Sequence, residues 1–248
     1  MFRALLDFLY PRTCHSCGRL LPDEERDICR RCRSMMKRYD PSSDDARDRV
    51  RTLKSSGAVS DFICLYSFEE GSPIRALLHA LKYRSFPSVG TRLGKELGMA
   101  VAERRTGATL IIPVPLSRRK IRERGYNQAS SIARGVSLVT GIPVAEGALL
   151  RIVDGPSQTS LSREERRDNV RDSFSVSRSG LARSAGKSCL LIDDVITTGA
   201  TLLECATELR EAGATEVIAC AVAAASLSNA ESGPTYVGVG RQLDASLR

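Results

Sequence analysis

The chain has 248 residues, 42% of them hydrophobic, a formal net charge of +8 and no tryptophan. That length allows one good-sized domain with a small appendage, and the hydrophobic share suffices for a packed core. Aromatic residues at 5% are too few for base-stacking platforms, no apolar run reaches membrane-span length, and the positive charge suits phosphates or nucleic acid without choosing between them.

The opening MFRALLDFLYPRT is broken by Arg3 and Asp7 and lacks a small-residue cleavage site, so it does not read as a secretory signal. We therefore expect a cytoplasmic protein whose thiols stay reduced, where clustered cysteines hold metal rather than pair as disulfides. Cys14 and Cys17 are followed, eleven residues on, by Cys29 and Cys32. Two C-x2-C knuckles are what a tetrahedral zinc site requires. Gly18 helps the first turn, and Arg30, Arg31 and Arg33 moderate the charge of four thiolates. His15 is expected to face solvent. With all four positions filled the zinc is structural, and a thioredoxin-like role lacks its βαβ surroundings. The ribbon is expected to have a core separate from that of the larger domain.

Residues 33–60 are rich in Arg, Asp, Lys and Ser with little apolar periodicity, which predicts a linker or a solvated helix. We divide the chain into a zinc-ribbon module with linker over 1–45, a larger domain over 46–226 whose sheet starts near Asp61, and a loosely held tail over 227–248. FICLYSF at 62–68 predicts a strand, and Ile74, Leu77, Leu78 and Leu81 recur at helical spacing. Leu93, Leu97 and Val101 predict a second helix. TLIIPVP at 109–115 predicts a buried strand, Ile132, Val136 and Val139 a helix, and residues 143–145 a short strand. The polar stretch 154–173 has no core face. CLLI at 189–192 and EVIACAVAAA at 216–225 predict further buried strands, and Cys64, Cys189, Cys205 and Cys220 read as core residues. Strands alternating with helices predict an α/β fold, a doubly wound parallel sheet that takes its ligand at the strand carboxyl ends. GLARSAGKS at 180–188 resembles a phosphate-binding loop only superficially, since its glycines are misspaced and it precedes a strand.

The chemistry concentrates in SCLLIDDVITTGAT, 188–201. An apolar strand ends in Asp193 and Asp194, acceptors only at neutral pH, which suit a ribose diol. Thr197, Thr198, Gly199, Ala200 and Thr201 then offer N–H groups and hydroxyls at the start of a helix carrying Leu202, Leu203, Ala206 and Leu209 and stopped by Gly213, an arrangement suited to phosphate. A phosphate beside a diol describes a ribose 5-phosphate. After the strand at 109–115, Pro115, Leu116, Arg118, Arg119 and Lys120, with Arg122 and Arg124, form a cationic loop on the same sheet edge. SQTSLSREERRDNVR at 157–171 is a long polar segment of the kind that forms lids.

PVPLSRRKIRERGYNQA, QTSLSREERRDNV and LLIDDVITTGAT, with the shorter Leu81-Lys82-Tyr83 and the cysteine knuckles, resemble the ComF family over roughly residues 10–225. The resemblance implies an N-terminal four-cysteine zinc ribbon (Cys14, Cys17, Cys29, Cys32) joined to a domain of the type I phosphoribosyltransferase kind. It implies that Asp193 and Asp194 hold the ribose hydroxyls of phosphoribosyl diphosphate and that Thr197 to Thr201 hold the 5-phosphate. The loop through Pro115, Leu116, Arg118, Arg119 and Lys120 would take the pyrophosphate, and residues 158–169, with Arg163 and Arg167, would close over the reacting centre with Arg166. The expected activity is Mg²⁺-dependent transfer of a phosphoribosyl group to a nitrogen acceptor. The alternatives are a non-catalytic sensor of phosphoribosyl diphosphate or a nucleotide, and a competence-related protein handling single-stranded DNA or meeting the competence machinery.

Overall fold

The computed structural model of the chain describes residues 11–83, 86–152 and 173–227. In chain order its elements are α1 (Arg30–Ser34), α2 (Asp44–Lys54), β1 (Asp61–Phe68), α3 (Pro73–Tyr83), α4 (Pro87–Arg104), β2 (Leu110–Pro113), α5 (Arg118–Arg124), α6 (Gln128–Thr140), β3 (Leu149–Arg151), β4 (Phe174–Val176), α7 (Arg178–Ser184), β5 (Ser188–Ile196), α8 (Ala200–Glu211) and β6 (Glu216–Ala225). Four of the strands form one parallel sheet in the order β1-β6-β5-β2. No helix among the described residues is long and apolar enough to cross a membrane.

The continuous apolar run of β5 follows from helices on both sides of the sheet. Leu190 and Ile192 enter a layer with Leu78 of α3, Leu97 of α4 and Ile132 of α6. Their neighbours Cys189 and Leu191 point the other way, to Leu53 of α2 and Leu202 and Leu209 of α8. Period-two alternation thus feeds two cores from one strand. Helices α4 and α6 cross in backbone contact. A Cβ at Gly94 would lie 2.1 Å from the carbonyl oxygen of Ile132, and one at Gly135 would lie 2.2 Å from that of Thr91. Only glycine fits at either position.

Three expectations are corrected here. Of the linker or solvated helix expected over 33–60, residues 44–54 form a helix, but not a wholly solvated one, because α2, capped by Ser43, buries Ala46, Arg49 and Leu53. Residues 143–145 form no strand of their own. Val144 makes a single parallel bridge to Ile111 at the sheet edge. The ribbon core is not separate: Leu21, Ile28 and Met36, together with Cys14, Cys29 and Cys32, belong to the same apolar cluster as Leu77, Val89 and Leu93. Polar contacts reinforce that junction, Asp27 pairing with Arg92 at 3.1 Å and Arg33 with Glu96, which also accepts from the Tyr66 hydroxyl.

The short antiparallel hairpin of β3 and β4 had no counterpart in the sequence reading. The expected lid, with Arg163, Arg166 and Arg167, and the tail beyond residue 227 lie outside the described residues.

Candidate functional site

In the ribbon, the sulfur atoms of Cys14, Cys17, Cys29 and Cys32 all lie within 4.8 Å of one another, and those of Cys17 and Cys29 are 3.8 Å apart. Tetrahedral Zn–S bonds of about 2.3 Å separate sulfurs by about 3.8 Å, so the set fits one structural zinc. The knuckles aim N–H groups at these sulfurs, from Cys29 to Cys14 Sγ and from Cys32 to Cys29 Sγ, each at 3.4 Å. Burial pushes the Cys14 thiol up, but N–H groups of Cys17, Cys29 and Ser16 outweigh it and bring it down to about 7. His15 does not face solvent as expected. Its side chain is 10% exposed with Nε2 3.9 Å from Asp27, and its ring centroid is 4.9 Å from that of Phe86.

The second site is built at the carboxyl edge of the sheet. Register places Pro113 of β2 beside Ile192 of β5, and the Val114 N–H donates to the Ile192 carbonyl at 2.9 Å. The basic loop therefore opens one residue before the Asp pair. Ser117 ends the loop by capping Lys120 N–H at 3.3 Å, so Arg118, Arg119 and Lys120 form the first turn of α5. Arg118 and Arg119 are exposed and Lys120 is half-buried. Burial pulls the Lys120 ammonium below its ordinary range, aided by Arg124, Arg151 and Lys82 and opposed by Asp194.

Strand β5 continues through both carboxylates to Ile196, so the pair sits inside its final turns of pleat rather than after them. Asp193 Oδ1 accepts the Asp194 N–H at 2.8 Å. Burial, then the charge of Asp194, raise the Asp193 carboxyl to about 7, against the Asp194 N–H, Lys82 and Lys120. Asp194 is paired with Lys82 Nζ at 3.0 Å. Lys82 belongs to the short Leu81-Lys82-Tyr83 motif, to which the sequence attached no role. All three residues are engaged: Tyr126 donates its hydroxyl to the Leu81 carbonyl, and the Arg124 guanidinium lies 5.5 Å over the Tyr83 ring. The motif ties the basic loop to the Asp pair.

Gly199, with a left-handed φ of 86°, is the N-cap residue of helix α8 and offers no side chain to cap it. A Cβ there would also meet Leu53 Cδ2 at 3.0 Å. Thr198 Oγ1 accepts the Ala200 N–H at 3.4 Å. Thus Asp193, Asp194, Thr197 to Thr201 and the loop through Pro115, Leu116 and Arg118 to Lys120 gather along one edge. Beside the loop is an open cavity of about 660 Å³, lined by Pro113, Pro115, Leu116 and Arg118 together with Leu149 to Ile152. The Asp pair and the Thr/Gly loop do not line it.

Comparison with known proteins bears on both parts. Residues 124–238 match the phosphoribosyl transferase domain and residues 5–43 the double zinc ribbon domain. Competence protein F of Haemophilus influenzae is 32% identical over 150 residues, covering 58% of this chain and 65% of that protein. DNA utilization protein YhgH of Escherichia coli K12 is 30% identical over 150 residues, covering 58% of this chain and 64% of that protein. The chain thus spans less than two thirds of these relatives' lengths. Among solved structures, glutamine phosphoribosylpyrophosphate amidotransferase from B. subtilis complexed with ADP and GMP is 28% identical, with a TM-score of 0.39, over 58% of this chain and 30% of that one. A parallel sheet of this kind behind a four-cysteine ribbon defines a zinc-ribbon protein with a phosphoribosyltransferase-type domain. Both parts are those of the ComF family, which the sequence motifs resemble.

Proposed function

We propose that this protein binds phosphoribosyl diphosphate with Mg²⁺ and transfers the phosphoribosyl group to a nitrogen acceptor. The observation that carries the reading is the Pro113–Ile192 register, which opens the basic loop beside the Asp pair and the uncapped start of α8. Asp193 and Asp194 accept hydrogen bonds from the ribose 2- and 3-hydroxyls. The N–H groups and hydroxyls of residues 197–201 take the 5-phosphate, with the helix dipole adding about 0.3–1 kcal/mol. Arg118, Arg119 and Lys120 face the pyrophosphate.

In the reaction the C1–O bond breaks and its electron pair leaves with the pyrophosphate. The acceptor nitrogen forms the new C1–N bond and gives up its proton. No protein nucleophile is required. The protein's contribution is to stabilise charge on the leaving group and to hold the reactants in line. Mg²⁺, when bound, would neutralise charge on the departing pyrophosphate together with Arg118, Arg119 and Lys120.

A second reading rests on the names of the relatives and the net charge of +8: a competence-related role in which the basic face meets single-stranded DNA. It predicts binding that weakens steeply with added salt. A non-catalytic sensor of phosphoribosyl diphosphate would share the first reading's site without turnover. The deciding experiment measures pyrophosphate release across a panel of amine and base acceptors, with calorimetry of phosphoribosyl diphosphate binding. Replacing Asp193 and Asp194 together by Asn removes two charge-assisted bonds at roughly 1.5–3 kcal/mol each, about two to four powers of ten in affinity. Parent protein that fails to bind phosphoribosyl diphosphate would overturn the first reading, and binding without release of pyrophosphate for any acceptor would favour the sensor.

A further inference from the structure

Arg49 lies on α2, in the segment whose sequence reads as solvated, yet it is 1% exposed. A guanidinium stripped of water is costly unless its N–H groups find acceptors. Its two terminal nitrogens donate to the carbonyl oxygens of Thr197 and Ala225, and Asp45 Oδ2 lies 3.6 Å away. Thr197 opens the loop between β5 and α8, and Ala225 ends β6. Asp45 in turn accepts from Leu227 N–H at 2.6 Å and from the Ser226 hydroxyl at 3.4 Å. One buried cation therefore joins the exits of two adjacent parallel strands.

A loop that offers N–H groups to an anion must turn its carbonyls elsewhere, since a carbonyl oxygen facing the same anion would repel it. Arg49 supplies the elsewhere for Thr197. Four residues along the same face of α2, Leu53 Cδ2 comes within 3.0 Å of where a Cβ on Gly199 would stand. Helix α2 thus braces both the first and the third residue of the loop, by charge at one and by contact at the other.

We propose that Arg49 is a positioning residue for the 197–201 loop: by holding the Thr197 carbonyl on the α2 side, it keeps the loop's N–H groups and the Thr198 and Thr201 hydroxyls directed to the cleft. The effect on ligand rests on the reading above that this loop takes a phosphate, and Arg49 itself touches no ligand.

The test uses the full chain with Arg49→Met and Arg49→Lys. Ribose 5-phosphate and Mg²⁺-pyrophosphate serve as separate probes in calorimetry, and amide exchange is followed without ligand. Arg49→Met is expected to weaken ribose 5-phosphate at least tenfold, to leave Mg²⁺-pyrophosphate within twofold, and to speed exchange at residues 198–201 but not in β2. Arg49→Lys, which keeps a cation, should recover part of the ribose 5-phosphate affinity. Unchanged ribose 5-phosphate affinity in folded Arg49→Met would overturn the proposal, as would equal loss of both probes with exchange rising throughout the sheet. Should Arg49→Met fail to fold, Arg49→Lys is read by the same two criteria. If the parent binds no ribose 5-phosphate, the phosphate reading fails, and exchange at 198–201 alone decides whether Arg49 holds the loop.

Discussion

Asp193→Asn separates what the site needs from what the fold prefers. The Asp193 carboxyl is raised to about 7 by burial and by Asp194, whereas an aspartate in the unfolded chain titrates near ~3.9. Between those values the folded protein keeps a proton that the unfolded chain has released. The native state then binds more protons, so its stability falls as pH rises through this window and levels off above it. Each unit of displacement corresponds to about 1.4 kcal/mol. The charged Asp193 carboxylate therefore costs the fold on the order of 2–4 kcal/mol at pH above ~7. Asn keeps the volume and an oxygen for the Asp194 N–H, and it does not titrate. Urea denaturation of parent and variant at several pH values isolates the effect, because the titrations of groups remote from the Asp pair cancel in the difference. The variant is expected to match the parent near pH ~4.5 and to exceed its stability by about 2–4 kcal/mol at pH ~8.5. The same change should weaken phosphoribosyl diphosphate binding, so that stability and affinity move in opposite directions. A stability difference that stays flat across this range would refute the reasoning.

Removing the zinc, by chelation or by Cys29→Ser, is expected to lower the melting temperature of ribbon and sheet together, because Leu21, Ile28 and Met36 are each worth about 1.5–3 kcal/mol buried and share a core with Leu77 and Leu93; calorimetry in which the main transition stays put after full metal release would count against this. Lys82→Met strands the Asp194 carboxylate and should cost about 1–3 kcal/mol at neutral pH, with the loss largely cancelled in Lys82→Met/Asp194→Asn, as a double-mutant denaturation cycle would measure. Gly94→Ala forces α4 and α6 apart, since its Cβ would lie 2.1 Å from the Ile132 oxygen. At about 1–3 kcal/mol for overpacking and about 2–4 °C per kcal/mol in a chain of this size, a fall in melting temperature of roughly 2–12 °C is expected.

What the sequence disclosed and what it hid divide along physical lines. The Asp pair, the Thr/Gly loop and the basic loop are legible because each is contiguous and follows an apolar run, so that strand and site are read in one pass. The cysteine knuckles are legible because ligand spacing is local. Only the buried face of helix α2 escapes the sequence, because it consists of Ala46, Arg49 and Leu53, and an arginine in that stripe mimics a solvated helix. Lys82 was visible only as part of a short motif, since its partner Asp194 is remote in sequence and its role exists only once α3 is laid against β5. The three-residue strands β3 and β4 are too short for periodicity to register. Gly94 and Gly135 look like helix-weakening residues until the crossing of α4 and α6 supplies the reason for them. The separate ribbon core was expected from the gap in apolar pattern after Cys32, but a core can be closed by residues contributed from both sides of such a gap.

That shared core separates ancestry from cohesion. The double zinc ribbon match ends at residue 43, where a history of domain fusion would place the seam. In the folded molecule no seam divides the apolar cluster there. Ile28 and Met36 line one small cavity with Leu77, Val89 and Leu93, so a ribbon borrowed from elsewhere would arrive without the side chains that fit α3 and α4. Each half is part of the other's environment, and a substitution on either side of the junction meets the other half's surface as well as its own. A ribbon in this setting is not freely exchangeable, and the two parts are expected to vary together among relatives.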